Sequence, residues 1–219
     1  MKQVVLIDFY GTLVHETGPV AQEVLARVCR AGREKDPRVV YGRWWHFFEE
    51  GMRRANEGPF QNQYALALHA FEQTLELFEA REDARSLCNR MIDHWSSPEP
   101  FPEAKAFVER LPVPYYIVTN ADAEFLQRAV QRMGLRPAGL VTSEKAGAYK
   151  PDRRIFEAAL RQAGVLAQDA VHIGDSAAND RDAARAVGID ALWLDRGGSE
   201  GFCDLNAVWE ALQKMDARS

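Results

Sequence analysis

Val4-Val5-Leu6-Ile7-Asp8-Phe9-Tyr10-Gly11-Thr12-Leu13 opens with four apolar residues, three of them β-branched, and then turns polar. A short continuous apolar run reads as a strand buried on both faces, as parallel strands are. No helical pattern begins at Asp8, so the aspartate falls at the strand's carboxyl end. In an open α/β sheet that is the end where ligands bind.

The same pattern recurs in the second half of the chain. Val113–Val118, Gly139–Thr142, Ala170–Ile173 and Ile189–Leu194 read as strands. Helical spacing fills about 123–133, 152–163, 178–187 and 205–215, and two of these stretches stop at Gly134 and Gly188. Strands alternating with helices of 10–15 residues predict βαβ units and a doubly wound parallel sheet of Rossmann-like type. Residues 16–97 break the alternation. They carry four amphipathic stretches, about 20–31, 40–55, 64–78 and 84–95, and no convincing strand. Pro98, Pro100 and Pro102 then mark a stiff return. The expected organisation is an α/β core of residues 1–15 and 98–219 with a helical cap of residues 16–97.

Three carboxylates, small polar groups and a lysine fall at strand ends: Asp8, Thr119 with Asn120, Lys150 followed by Pro151, and Gly174-Asp175-Ser176 with Asn179-Asp180. A carboxylate nucleophile can split a hard displacement into formation and hydrolysis of a covalent ester or acyl phosphate. Three acids beside one lysine call for a further cation, and Mg²⁺ prefers oxygen ligands and few carboxylates. The N–H groups of Phe9 and Tyr10, at a turn leaving a strand, are candidates to cradle phosphoryl oxygens, and Thr119 and Asn120 to donate more hydrogen bonds.

Taken in order, Asp8-Phe9-Tyr10-Gly11-Thr12, Thr119, Lys150-Pro151 and Gly174 to Asp180 resemble the four motifs of the haloacid dehalogenase-like hydrolase superfamily. The helical insert matches that superfamily's cap in its usual place. The resemblance implies Asp8 as nucleophile, Lys150 as its charge partner, Asp180 in the catalytic set, and Mg²⁺ held by Asp8, Asp175 and the Tyr10 carbonyl.

One position departs from the pattern. Phosphatases of the superfamily carry a second Asp two residues after the nucleophile, as acid and then base; here it is Tyr10. A phenol with an ordinary pKa of about 10 is a poor base near neutrality. Asp-x-Tyr-Gly-Thr resembles instead the metal-independent L-2-haloacid dehalogenases, in which Asp8 would displace halide, Asp180 would help activate water, and a cap arginine such as Arg43 would bind halide or carboxylate. The fourth motif opposes that reading, because those enzymes usually have an uncharged residue where this chain has Asp175. The expected activity is therefore a Mg²⁺-dependent hydrolase of a small phosphate ester. The alternatives are the dehalogenase and an inactive binding protein of the same fold. The phosphonate-cleaving branch fits less well, since it needs a cap lysine and the cap offers only Lys35, flanked by Glu34 and Asp36.

Composition limits the partners. The net charge is −5, from 27 basic and 32 acidic residues, which argues against nucleic-acid or anionic-membrane surfaces. The three cysteines, Cys29, Cys88 and Cys203, are scattered and form no disulfide framework or zinc site. With no apolar stretch of membrane-spanning length and no secretory pattern at the start, the expected setting is cytoplasmic. Within the cap, Tyr41, Trp44, Trp45, Phe48 and Met52 share one face at helical spacing and are expected to pack the helices together. Arg43, His46, Glu50 and Arg53 lie opposite, and Arg43 or His46 would touch substrate only if that face overhung the crevice.

Overall fold

The structure is a computed structural model that describes residues 2–198 and 200–216. Five parallel strands form one sheet: β1 (Val4–Ile7), β2 (Tyr115–Thr119), β3 (Gly139–Thr142), β4 (Ala170–Gly174) and β5 (Asp190–Trp193). Their spatial order is β3-β2-β1-β4-β5. The chain therefore builds outward from β1 to β3 and then restarts on the other side of β1. In register, Ile7 faces Ile117 of β2 and Ile173 of β4, so Asp8 leaves the sheet where the strand order reverses. That reversal opens the crevice of a doubly wound sheet.

Helices cover both faces. Val5 and Ile7 pack into one apolar layer with Phe107 of α5 (Ala104–Glu109), Leu126 of α6 (Ala123–Met133) and Val208 of α10 (Leu205–Asp216). Val4 and Leu6 point the other way, against Ile155 and Phe156 of α8 (Arg153–Ala163) and Ala184 of α9 (Ala183–Ala186). The alternation along four fully apolar residues is why both faces must be covered. A short α7 (Ser143–Ala146) follows β3.

Between β1 and α5 the chain forms α1 (Pro19–Ala31), α2 (Pro37–Glu57), α3 (Gln63–Leu77) and α4 (Ala84–Ser96). Each start is dictated locally. Pro19 and Pro37 occupy the first turns of α1 and α2, and the carboxylates of Asp36 and Asp83 and the amide oxygen of Asn62 cap α2, α4 and α3. The four helices share their own apolar core, with Val28, Trp44, Phe48, Phe71 and Leu87 buried in it. No helix of the described residues is long and apolar enough to cross a membrane.

Two differences from the sequence reading are local. The β2 strand begins at Tyr115 rather than Val113; Pro114 has no N–H to give the ladder, although its carbonyl accepts from the Val5 N–H of β1. The helix expected over 178–187 is instead a wide π-type turn over Ala177–Asp182 running into α9. Within that turn Asp180 is buried, and π-type segments often reposition a functional side chain.

Candidate active site

Lys150 is the centre of the crevice floor. Its ammonium, 5% exposed, donates to Asp8 Oδ1 at 2.5 Å and to Asp180 Oδ1 at 2.6 Å. At an effective dielectric of about 20 each attraction is worth roughly 6 kcal/mol. Two of them outweigh the several kcal/mol needed to desolvate one ammonium. Burial accordingly lowers the Lys150 pKa less than Asp180 and Asp8 raise it, and the group stays charged. Burial also pushes Asp180 upward, but Lys150 and His172 overcome it and hold the carboxyl well below its usual range.

Asp180 is saturated. Besides Lys150 it accepts from His172 Nε2 at 2.8 Å and from the Ser176 N–H at 3.0 Å. His172 is fully buried in β4, edge-on to Phe156, and its Nδ1 has no partner. A Cβ at Gly174 would run into the Asp180 carboxylate, so glycine there lets the turn fold back onto β4.

Asp8 and Asp175 are joined by Thr12, whose hydroxyl lies 3.2 Å from Asp8 Oδ2 and 3.1 Å from Asp175 Oδ1. Gly11 has φ +86°, and a Cβ there would collide with Asp175. Both the turn and the close approach thus require glycine. Asp8, Asp175 and Asp180 each present an oxygen within 4.8 Å of the other two. Burial raises Asp8, with Lys150 opposing and Asp180 adding to the rise. Burial, Asp8, Asp180 and then Glu16 push Asp175 up to about 8. One lysine does not neutralise this cluster. The pair of oxygens from Asp8 and Asp175 fits a hard divalent cation, which would remove the excess negative charge.

The floor opens into a cavity of about 360 Å³ roofed by the helical insert. Thr119 and Ser176 line it near the carboxylates; Tyr41, Trp44, Trp45 and Phe48 of α2 line it too, and Met52 of the same helix reaches the floor, its sulfur 3.9 Å from the Asn120 amide nitrogen. The insert is latched to the floor at two points. Asn56 of α2 exchanges hydrogen bonds with the backbone of Tyr149 at 2.8 and 3.0 Å. Asp122 accepts from the N–H groups of Gln63 and Tyr64 at 2.8 and 3.0 Å, at the start of α3.

The structure brings Asp8, Tyr10, Thr119, Asn120, Lys150, Asp175 and Asp180 together around this cavity. Three of the expected roles need correction. Arg43 is exposed and absent from the cavity wall, because the aromatic face of α2 is the one turned to the crevice as well as to the helical core. Tyr10 donates its hydroxyl to the Trp95 carbonyl at 2.7 Å, and burial with Asp8 raises it further, so its proton is not available for catalysis. Asn120 accepts from the Lys150 N–H at 2.7 Å and donates to the Lys150 carbonyl at 3.1 Å; it braces the lysine's backbone rather than reaching for a ligand. The Phe9 ring is buried in the core beneath the sheet's end, and the group expected to serve the site is its backbone N–H. Among the described residues no backbone carbonyl accepts from the N–H of Phe9 or Tyr10.

Glu16, Glu49 and His172 were not singled out by the sequence. Glu16 and Glu49 line the cavity, yet one follows β1 in a loop and the other sits among charges on a helix, so neither carries a motif. His172 does carry a signal: it is the polar residue in an otherwise apolar strand two positions before Gly174.

Comparison with known proteins places the fold. An L-2-haloacid dehalogenase from Xanthobacter autotrophicus superposes with a TM-score of 0.74 at 19% identity, over 97% of this chain and 88% of that one. The hydrolase YfnB from Bacillus subtilis, in a structure bound to magnesium, gives 0.80 at 16%, over 97% and 99%. A phosphoserine phosphatase from Thermus thermophilus is 32% identical over 167 residues, 70% of this chain. The match spans 63% of that relative, under two thirds of its length. The haloacid dehalogenase-like hydrolase family matches residues 2–188, and with the sheet, crevice and four motifs in place the chain belongs to that family.

Proposed function

We propose that the protein is a Mg²⁺-dependent phosphatase acting on a small phosphate monoester through Asp8. The observation that carries this reading is the cluster of Asp8, Asp175 and Asp180 around a single lysine. Such a site has a deficit of positive charge that a divalent cation would make good, leaving it able to accept a phosphate. The wall adds support: among the described lining residues Lys150 is the sole cation, so a haloacid carboxylate has no arginine to meet it.

In this reading Asp8 attacks phosphorus as the ester oxygen departs, forming an acyl phosphate; water then attacks the phosphorus and restores the carboxylate. Lys150 offsets charge on Asp8 and the phosphoryl oxygens, and Asp180 positions Lys150. The free N–H groups of Phe9 and Tyr10 and the Thr119 hydroxyl stabilise phosphoryl oxygens. Asp8, Asp175 and the Tyr10 carbonyl would hold a Mg²⁺, which would supply further charge stabilisation. Because Tyr10 keeps its proton, esters of acidic alcohols should react faster than simple alkyl esters.

The second reading, a metal-independent haloacid dehalogenase, rests on Tyr10 standing where a second Asp would be. One panel separates the two: 4-nitrophenyl phosphate, alkyl phosphates and L-2-chloropropionate, each with Mg²⁺ and with chelator. Phosphate release that stops in chelator, and is lost in Asp8→Ala and Asp175→Ser, is the expected outcome. Chloride release indifferent to chelator would overturn it.

A further inference from the structure

The far side of the cavity differs chemically from the floor. Tyr41, Trp44, Trp45 and Phe48 form a continuous aromatic surface on α2, with the Tyr41 and Trp45 rings 6.1 Å apart at 23° and Trp44 and Phe48 5.2 Å apart at 14°. Beside it stand Glu16 and Glu49, both lining the cavity. Neither makes an ion pair among the described residues. Tyr41 lines the same cavity as both carboxylates. Trp44 is 4% exposed and its Nε1–H has no partner.

Around these rings the cavity offers aromatic faces and the carboxylates of Glu16 and Glu49, and among the described lining residues Lys150 of the floor is the only lysine, arginine or histidine. An anionic leaving group, including the carboxylate of an amino-acid ester, would meet only like charge there. A neutral polar group would gain little from the rings. An ammonium sheathed in alkyl groups gains from both features, because it is attracted by the quadrupole of each ring and by the carboxylates at low desolvation cost. The faces are already ordered by their own stacking, so binding does not have to arrange them.

We propose that the cap end of the cavity binds an organic cation, and that the phosphate ester turned over at Asp8 carries an alkylated ammonium on its alcohol part. The second half of this statement rests on the phosphatase reading; the cation site stands on the wall alone.

The test uses the full chain with Mg²⁺ and three esters of matched size: phosphocholine, its neutral isostere 3,3-dimethylbutyl phosphate, and the anionic 3-phosphoglycerate. The cation should exceed the neutral isostere about tenfold in kcat/KM, with the anion slowest. Glu49→Gln combined with Glu16→Gln, and separately Trp45→Ala, should pull the cation-to-neutral ratio toward one. Because the ratio is taken within each protein, a general loss of activity or partial unfolding does not imitate this result. Titration calorimetry with benzyltrimethylammonium provides a readout that needs no turnover. Binding that weakens in the same variants supports the site even if no phosphate ester is hydrolysed, in which case the phosphatase reading alone falls. A neutral isostere that matches phosphocholine, a preference for the anion, or ammonium binding indifferent to all three substitutions would overturn the proposal.

Discussion

The two ends of the crevice are built on opposite principles. At the floor the side chains around the lysine are held by one another: Lys150 by two carboxylates, Asp180 by three donors, Asn120 by the lysine's own backbone. At the roof, Glu16, Glu49 and the Trp44 indole line or border the same space without such partners. A saturated network in a low-dielectric site fixes geometry, because any displacement leaves a buried group unpaired. An under-used one keeps its binding capacity for something else. The floor is thus suited to a fixed reaction and the roof to selecting what is reacted.

The largest expected effect breaks the floor. Lys150→Met leaves Asp8 and Asp180 facing each other without a cation. Removing one member of a buried pair costs about 3–5 kcal/mol, and losing a charge from a partly dry site should cut kcat/KM at least about a hundredfold. The double variant Lys150→Met, Asp180→Asn separates the two consequences. Thermal melts should show part of the stability restored while activity stays lost, since relieving repulsion does not return the cation. An activity loss of under about threefold in Lys150→Met would mean the floor does not depend on this network.

The difference between the two ends also decided what could be read from the sequence. Asp8, Thr119, Lys150 and Asp175 were legible because each follows an apolar run or stands beside a glycine or proline, and a parallel sheet sends all such points to one edge; Asp180 was legible only as the end of the motif that starts at Gly174. The role of Asn120 was not, since its amide is matched by a backbone 30 residues onward. The wide turn at Ala177–Asp182 was read as an ordinary helix, because its alanine-rich sequence keeps helical spacing and the widening is driven by Asp180 reaching back to His172 and Lys150. For α2, periodicity defined two faces correctly but could not say which one the crevice would meet. An aromatic stripe that packs a helical core has the same spacing as one that also lines a cavity, so Arg43 was assigned to a site that Trp44 and Trp45 occupy.

A smaller effect probes the latch joining roof to floor. Asp122 is buried and satisfies two N–H groups at the start of α3, groups that have no helical partner of their own. Asp122→Ala should cost about 1–3 kcal/mol, seen as a drop of several degrees in melting temperature. If the roof selects and the floor reacts, KM should rise more than kcat falls. A fall confined to kcat would show that the latch tunes the chemistry itself, and the division drawn between the two ends would not hold.

The smallest effect concerns the strut beneath Glu16. His94 of α4 is buried, and its Nε2 lies 2.9 Å from the Glu16 carbonyl oxygen. The carbonyl can only accept, so Nε2 carries the hydrogen. Burial lowers the His94 pKa, against a smaller opposing effect of that hydrogen bond. The folded protein therefore prefers the neutral ring, whereas the unfolded chain protonates near the ordinary value of 6.5. As pH falls through about 6.5 the unfolded state takes up the proton first, and stability is lost in that direction. His94→Gln has no such group. Its melting temperature should lie below that of the wild type at pH 7.5, where the strut is intact and neutral, and the gap should narrow by pH 5.5. A gap of constant width across that range would mean His94 carries its proton equally well in both states, and that the peptide bearing Glu16 is held by something other than this ring.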